Sequence, residues 1–418
     1  MTFTPKFTVD KVRAQFNALH QTHNDLPVTF FDGPGGSQVP ESVLETMVSY
    51  LGYYNSNLGA SYFSSQLTTQ LVTDARNACQ ALLNAQSADS IIFGANMTSL
   101  TFALSRAISR DWQAGDEIVV TALDHYANVS SWQQAAEDKS ALVHQAPIIP
   151  DDGSLDVEAL LNLINSNTRL VALTLASNTT GSIVEVAPVI EAAKRVGAQV
   201  YIDAVHYAPH HLIDVQALGC DFLVCSAYKF FGPHLGIGYV APKWVQTLRP
   251  YKVEPAPELG PARFETGTQS FEALAGLVAT IEYLAQWGTQ GEDLRTRLVE
   301  SYAYYNQYET TLSEYFLAKL KLLKGVRLLG RLDADCAVRT ATFALTFDRI
   351  STKEVASALG QLNLCVGSGH FYALGLVRQL GIEADGVLRV GLMHYNTKQE
   401  IDRLFIALQR LLHPSLFV

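Results

Sequence analysis

An α/β fold with a mainly parallel sheet and a smaller α+β unit behind it is what the sequence predicts, on three observations. Between residues 90 and 245, short apolar runs alternate with helical stretches, the signature of a parallel sheet covered on both faces. From about residue 270 that rhythm gives way to long amphipathic helices and then to a few further strands. The chain has 418 residues, of which 48% are hydrophobic, enough to bury one large core and a second smaller one.

Taken in order, SIIFG, EIVVTAL, LVALTLAS, QVYIDAV, FLVCSAY and IGYVA read as strands. The stretches TSLTFALSRAISRDW, VSSWQQAAEDKS, LDVEALLNLI and VAPVIEAAKRVG between them read as helices. FEALAGLVATIEYLAQWG and EDLRTRLVESYAYYNQYETTLSEYFLAKLKLL then read as long helices. VRLLG, TATFALTF, LCVGSG and GVLRVGLM follow as strands of the smaller unit, closed by the helix TKQEIDRLFIALQRLL. No internal repeat or low-complexity linker separates the two units, so they are expected to pack together. The expected division is a large unit over 20–295 and a small unit over 296–418, the latter joined by the N-terminal arm 1–19.

The net charge of −10 and the lack of a basic stripe argue against a nucleic-acid partner. The N-terminal residues alternate polar and apolar without the apolar centre of a signal peptide, and every apolar run is strand-sized, so no membrane span is expected. Five scattered cysteines (79, 220, 225, 336 and 365) suit reduced thiols and a cytoplasmic location. The cluster His206, His210, His211 has no acidic or cysteine ligand to complete a set, so no metal is expected.

In sheets of this kind ligands bind beyond the carboxyl ends of the strands. After SIIFG comes ANMTSL, where Asn96, Met97 and Thr98 open a helix; its free N–H groups with the Thr98 hydroxyl suit an anion, although taken alone Thr98 reads as a simple N-terminal cap. After EIVVTAL stands His125, a flat ring that could stack on an aromatic ligand. Asn178 follows LVALTLAS as a polar donor. Asp203 closes QVYID, where a carboxylate is costly unless a cation faces it. Ser226 and Lys229 follow FLVC, the lysine set between aromatic pairs in SAYKFFGPHLGIGYV. One rim thus offers an anion cradle, a stacking ring, a donor, a carboxylate and an amine. Pyridoxal 5'-phosphate (PLP) asks for such a set: it has a phosphate, a flat ring, a phenolic oxygen, a ring nitrogen and an aldehyde that condenses with lysine.

From FFDGPGGSQVP to LRVGLMHYNTKQEIDRL, and most strongly over YIDAVHYAPHHLIDVQALGCDFLVCSAYKFFGPHLGIG, the chain resembles class V aminotransferase-fold enzymes, in particular the cysteine desulfurase-like group. The resemblance implies the PLP-dependent transferase fold of type I and a homodimer with shared sites. It implies that Lys229 holds the cofactor as an internal Schiff base, Asp203 pairs with the ring nitrogen, His125 stacks on the ring and Asn178 lies near the phenolic oxygen. Asn96, Met97, Thr98 and Ser226 would bind the phosphate, and Thr268 in FETGTQS would reach that of the neighbouring subunit. Arg389 in LRVG would grip the substrate carboxylate.

Three departures stand out. Where the desulfurases carry a loop pattern Arg-x-Gly-x-x-Cys-Ala, this chain reads GSGHFYA: Gly367 replaces the arginine and Tyr372 the nucleophilic cysteine, while Cys365 belongs to the preceding apolar run. Tyr228 replaces a common histidine before the lysine, and His206 a common glutamine near the cofactor. Without a thiolate, attack on substrate sulfur is not available. Expulsion of a β-substituent needs only the lysine as base and a proton donor, for which Tyr372 and His370 are candidates. A lyase acting on a sulfur-bearing amino acid is therefore expected, with transamination, epimerisation and a non-catalytic scaffold as alternatives.

Overall fold

The structure is a computed structural model, and it describes residues 7–414. Seven strands form the central sheet: β1 (Ile91–Gly94), β2 (Glu117–Thr121), β3 (Leu142–Ala146), β4 (Thr168–Thr174), β5 (Gln199–Asp203), β6 (Phe222–Ser226) and β7 (Gly236–Val240). They lie in the order β1-β7-β6-β5-β4-β2-β3, and only β7 runs against the others. The mainly parallel sheet is as expected. Its strands β4 to β7 are almost wholly buried, which is why they read as continuous apolar runs rather than alternating ones. Strand β3 had no such run to announce it: LVHQA is an edge strand whose side chains are mostly half-buried or exposed.

Two helices also lack a clear pattern in the sequence, Glu41–Ser49 and Phe63–Leu83, and both pack on the helix Phe271–Leu284. The expected helices form within a few residues of their predicted ends, some of them bounded by an identifiable signal. Asp156 and Asp293 cap Val157–Leu163 and Leu294–Leu320 by accepting main-chain N–H bonds, and Gly197 ends Ala187–Val196 in the left-handed region.

The smaller sheet has four antiparallel strands, β8 (Val326–Leu329), β9 (Thr342–Phe347), β10 (Gly367–Gly369) and β11 (Val387–Gly391), in the order β8-β9-β11-β10. The single strand expected at LCVGSG is divided. Leu364–Cys365 pairs with Thr29–Phe30 near the N-terminus, and the chain then crosses to β10, where Gly367 lies opposite Arg389. The helices Thr352–Gly360 and Lys398–Leu412 cover this sheet around Phe316, Phe343 and Leu404.

Helix Leu294–Leu320 belongs to both cores: Leu298, Tyr302 and Tyr305 are buried with the large sheet, Leu312, Phe316 and Leu317 with the small one. The N-terminal arm packs on both units. Val12, Phe16 and Leu19 are buried in the larger core, while Phe7 packs on Tyr304, Tyr305 and Tyr308, Phe16 meets the Tyr395 ring edge-on, and Arg13 reaches the Tyr395 carbonyl and Glu400. Residues 1–6 of that arm and 415–418 of the small unit lie outside the described residues.

Candidate active site

All five carboxyl-end positions singled out in the sequence open on one cavity of about 770 Å³. It is lined by Asn96, Met97 and Thr98 after β1, by His125 after β2 and by Asn178 after β4. Asp203 and His206 follow from β5, Ser226, Tyr228 and Lys229 from β6, and Tyr372 and Arg389 come from the small unit. Two expected residues are elsewhere. Thr268 is exposed and outside the cavity of its own chain, and His370 is exposed with its Nδ1 accepting the Tyr372 N–H.

The phosphate end differs in detail from the sequence reading. The cap of the helix Met97–Ile108 is Asn96, whose Oδ1 accepts the Ser99 N–H at 2.9 Å; Thr98 stands inside the first turn, exposed. The Met97 N–H donates to Ser226 Oγ at 2.9 Å, tying the helix start to the end of β6. A glycine makes this possible. At Gly236 a Cβ would lie 2.5 Å from the Asn96 carbonyl carbon, so strand β7 passes the helix start only without a side chain.

Lys229 sits in the short turn Ala227–Lys229 after β6, half-buried. Its Nζ donates to the carbonyls of Pro34 and Gly35 (2.9 Å to the latter), and it lies 4.7 Å from the Tyr228 ring centre. Burial, followed by the Arg389 charge, lowers its pKa to about 8. Ser37 secures the turn: its main-chain N–H and hydroxyl both donate to the Tyr228 carbonyl, and its Oγ accepts the Phe231 N–H. That last bond holds Phe231 in the left-handed region, φ 71°.

Asp203 is buried, with Oδ1 accepting the Val205 N–H at 2.9 Å. Burial pushes its pKa up to about 6, against that bond and the Lys229 charge. The cost that the sequence argument placed on this carboxylate is visible in that upward shift, which the Lys229 charge offsets only in part. Behind it, Asp124 is fully buried, bonded to Thr121, Asn128 and the Thr174 N–H, and raised to about 8 by burial. His125 accepts the Ala127 N–H on Nδ1, and burial lowers it to about 4, so the ring is neutral. The Tyr372 ring already stacks on it, centroids 5.1 Å apart at 29°. A flat ligand must therefore take the other face or displace Tyr372. His206 is buried, with Nε2 on the Thr340 hydroxyl at 3.0 Å, and burial holds it well below the ordinary imidazole range.

Sequence reasoning missed three residues that complete the site: Asp32, Phe371 and His234. Arg389, nearly fully buried, donates from Nη2 to Asp32 Oδ1 and from Nη1 to the Asn178 carbonyl, both at 2.9 Å. Phe371 covers its face, the guanidinium carbon 3.9 Å from the ring centre. Phe371 and Tyr372 both have positive φ, 48° and 60°, and the Phe371 carbonyl accepts from Asn178 Nδ2. His234 stacks on Tyr228 at 4.7 Å. All three lie inside quoted motifs, Asp32 in FFDGPGG, His234 in SAYKFFGPHLGIGYV and Phe371 in GSGHFYA, but no strand-end argument singled them out.

Against protein families, residues 29–404 match Aminotransferase class-V. The chain is 32% identical to a cysteine desulfurase of Enterobacter sp. (strain 638), over 97% of this chain and 99% of that protein. A crystal structure of an Escherichia coli cysteine desulfurase in the S-sulfonic acid form superposes with TM-score 0.84 at 25% identity, covering 98% and 99%. A C-DES mutant with glycine covalently linked to its PLP cofactor superposes at 0.79 with 21% identity, covering 95% and 98%, a likeness of fold. The chain belongs to the class V aminotransferase family. It is a PLP-dependent enzyme of the cysteine desulfurase-like group, with the fold of type I.

Proposed function

We propose that the protein cleaves the C–S bond of a sulfur-bearing amino acid, cysteine foremost, by β-elimination, releasing the sulfur directly instead of passing it to a protein thiol. One observation carries the reading. The Lys229 amine and the Arg389 guanidinium open on a common cavity, and no cysteine is among the residues lining it. Cys365, the nearest in sequence to the loop, sits in a strand pair, and burial raises its thiol pKa.

The residues present fit PLP. Two polar atoms, Asn178 Oδ1 and Arg389 Nε, are buried without a hydrogen-bond partner, and the Asp203 carboxylate lines the same space. Asn96, Met97, Thr98 and Ser226 would hold the phosphate, Asp203 the ring nitrogen, His125 and His206 the ring, and Lys229 the aldehyde carbon. When bound, the cofactor supplies an electrophilic carbon for the substrate amine and a ring that accepts the electrons left at Cα. Arg389 holds the substrate carboxylate and so fixes which Cα bond faces Lys229. An amine with pKa about 8 is partly neutral at neutral pH, so Lys229 takes the Cα proton. As the Cβ–S bond breaks, its electron pair leaves with sulfur, which takes a proton from water or Tyr372. Hydrolysis of the remaining carbon skeleton yields pyruvate and ammonia.

Residues 20–295 are assigned to the cofactor-holding unit and those from 296 onward to the unit that brings Arg389, with Leu294–Leu320 shared. A homodimer suits Thr268 and an exposed apolar surface that includes Val48, Leu51, Tyr53 and Phe63. A reducing, cytoplasmic compartment suits the five free thiols. No helix among the described residues is long and apolar enough to cross a membrane.

Purified protein loaded with PLP and given cysteine should release sulfide and pyruvate in equal amounts with no protein persulfide by intact mass. Alanine with persulfide on a protein cysteine would overturn the elimination. Keto acid without sulfide, or inversion at Cα, would move the assignment to transamination or epimerisation.

A further inference from the structure

Arg389 is enclosed on every side but one. Phe371 covers one face, the Asn178 carbonyl takes Nη1, and Asp32 takes Nη2 through a single oxygen. Nε, on the same fork edge as Nη2, is buried with no partner. Asp32 is built into this position. A Cβ at Gly35 would lie 2.2 Å from Asp32 Oδ2, so that glycine leaves room for the carboxylate, and one at Gly367 would lie 2.8 Å from the Phe371 ring that covers Arg389. The Asp32 side chain remains 43% exposed, whereas that of Arg389 is 4% exposed, so the aspartate can turn towards solvent while the arginine stays fixed.

We propose that Asp32 is a stand-in for the substrate carboxylate on Arg389, surrendering the guanidinium edge when an amino acid binds and returning to it on release. The exchange is favourable because an incoming carboxylate can bridge Nε and Nη2, while Asp32 engages Nη2 alone. It also spares an empty site a buried, unpaired guanidinium. Asp32 is thus a positioning residue that tunes substrate affinity: any amino acid must outcompete an internal carboxylate, which sets its apparent affinity below the intrinsic one. The assignment rests on the reading of Arg389 as the carboxylate site, and its test can fail separately from the C–S lyase reading.

The probe is 3-mercaptopropionate, which has the carboxylate and thiol of cysteine but no amine. Titrated calorimetrically into the PLP-loaded enzyme, it should bind about tenfold more tightly to Asp32→Asn and to Asp32→Ser than to wild type, the scale of one charge-assisted hydrogen bond no longer displaced. Arg389→Gln should abolish the response in either background. The KM for cysteine should fall in the same proportion, with kcat changing less. A structure of the wild-type complex should show the probe on Nε and Nη2 with Asp32 turned away. Unchanged or weaker binding in both Asp32 variants, or Asp32 still on Nη2 beside a bound probe, would overturn the proposal. Tighter probe binding in an enzyme that turns over no sulfur amino acid would support it while defeating the lyase reading.

Discussion

Adding one methyl group at Gly236 tests how the strand rim builds the phosphate end. The new Cβ would stand 2.5 Å from the Asn96 carbonyl carbon and 2.6 Å from its oxygen, both main-chain atoms. Restoring ordinary contact at about 3.4 Å requires β7 and the helix start to separate by roughly 0.9 Å. Such overpacking costs about 1–3 kcal/mol. The displacement falls on the bond that ties the cradle to the sheet, Met97 N–H to Ser226 Oγ at 2.9 Å, since Gly236 lies opposite Ser226. Hydrogen bonds of this kind span about 2.7–3.2 Å, so a shift of this size opens it. In Gly236→Ala, PLP affinity measured by fluorescence titration should therefore drop about tenfold or more, since each 1.4 kcal/mol is a factor of ten. The unfolding midpoint should fall as well. Wild-type affinity and midpoint together would show that the backbone yields freely here, and the account of the cradle would be wrong.

Lys229→Ala should lose turnover and borohydride-trapped cofactor together; turnover that persisted would remove Lys229 as the base. In cofactor-free protein, Asp203 binds its proton more tightly folded (pKa about 6) than unfolded (3.8), so its contribution falls as pH rises between those values, by an amount on the order of 3 kcal/mol. Asp203→Asn should flatten that part of the stability profile, and an unchanged profile from denaturant titrations at pH 4 to 7 would contradict the burial argument. Val48→Glu combined with Phe63→Glu should yield monomers by sedimentation with weakened PLP binding, whereas an unaltered dimer would place the interface elsewhere.

The sheet was legible because its strands are buried on both faces, and a strand such as FLVCS has no polar face to obscure it. The edge strand Leu142–Ala146 was not, since only its last residue is buried. The same contrast governs the site. Residues directly after strands, such as Asp203 and Lys229, follow from topology once strand ends are known. Phe371 reaches the cavity because β11 pairs with β10, and Asp32 because β11 lies beside the N-terminal loop, a contact between positions more than 300 residues apart that no local pattern encodes. Thr98 was placed as the cap although Asn96 fills that role; both are good capping types, and they stand two positions apart.

Leu294–Leu320 carries a mechanical implication. A rod whose first half is rooted beneath one sheet and whose second half is rooted beneath the other leaves neither body free to drift from its neighbour. Any motion that brings Arg389 towards Lys229 must bend or pivot that rod, so catalytic closure is confined to a small arc, and melting either body strips the other of a supporting beam.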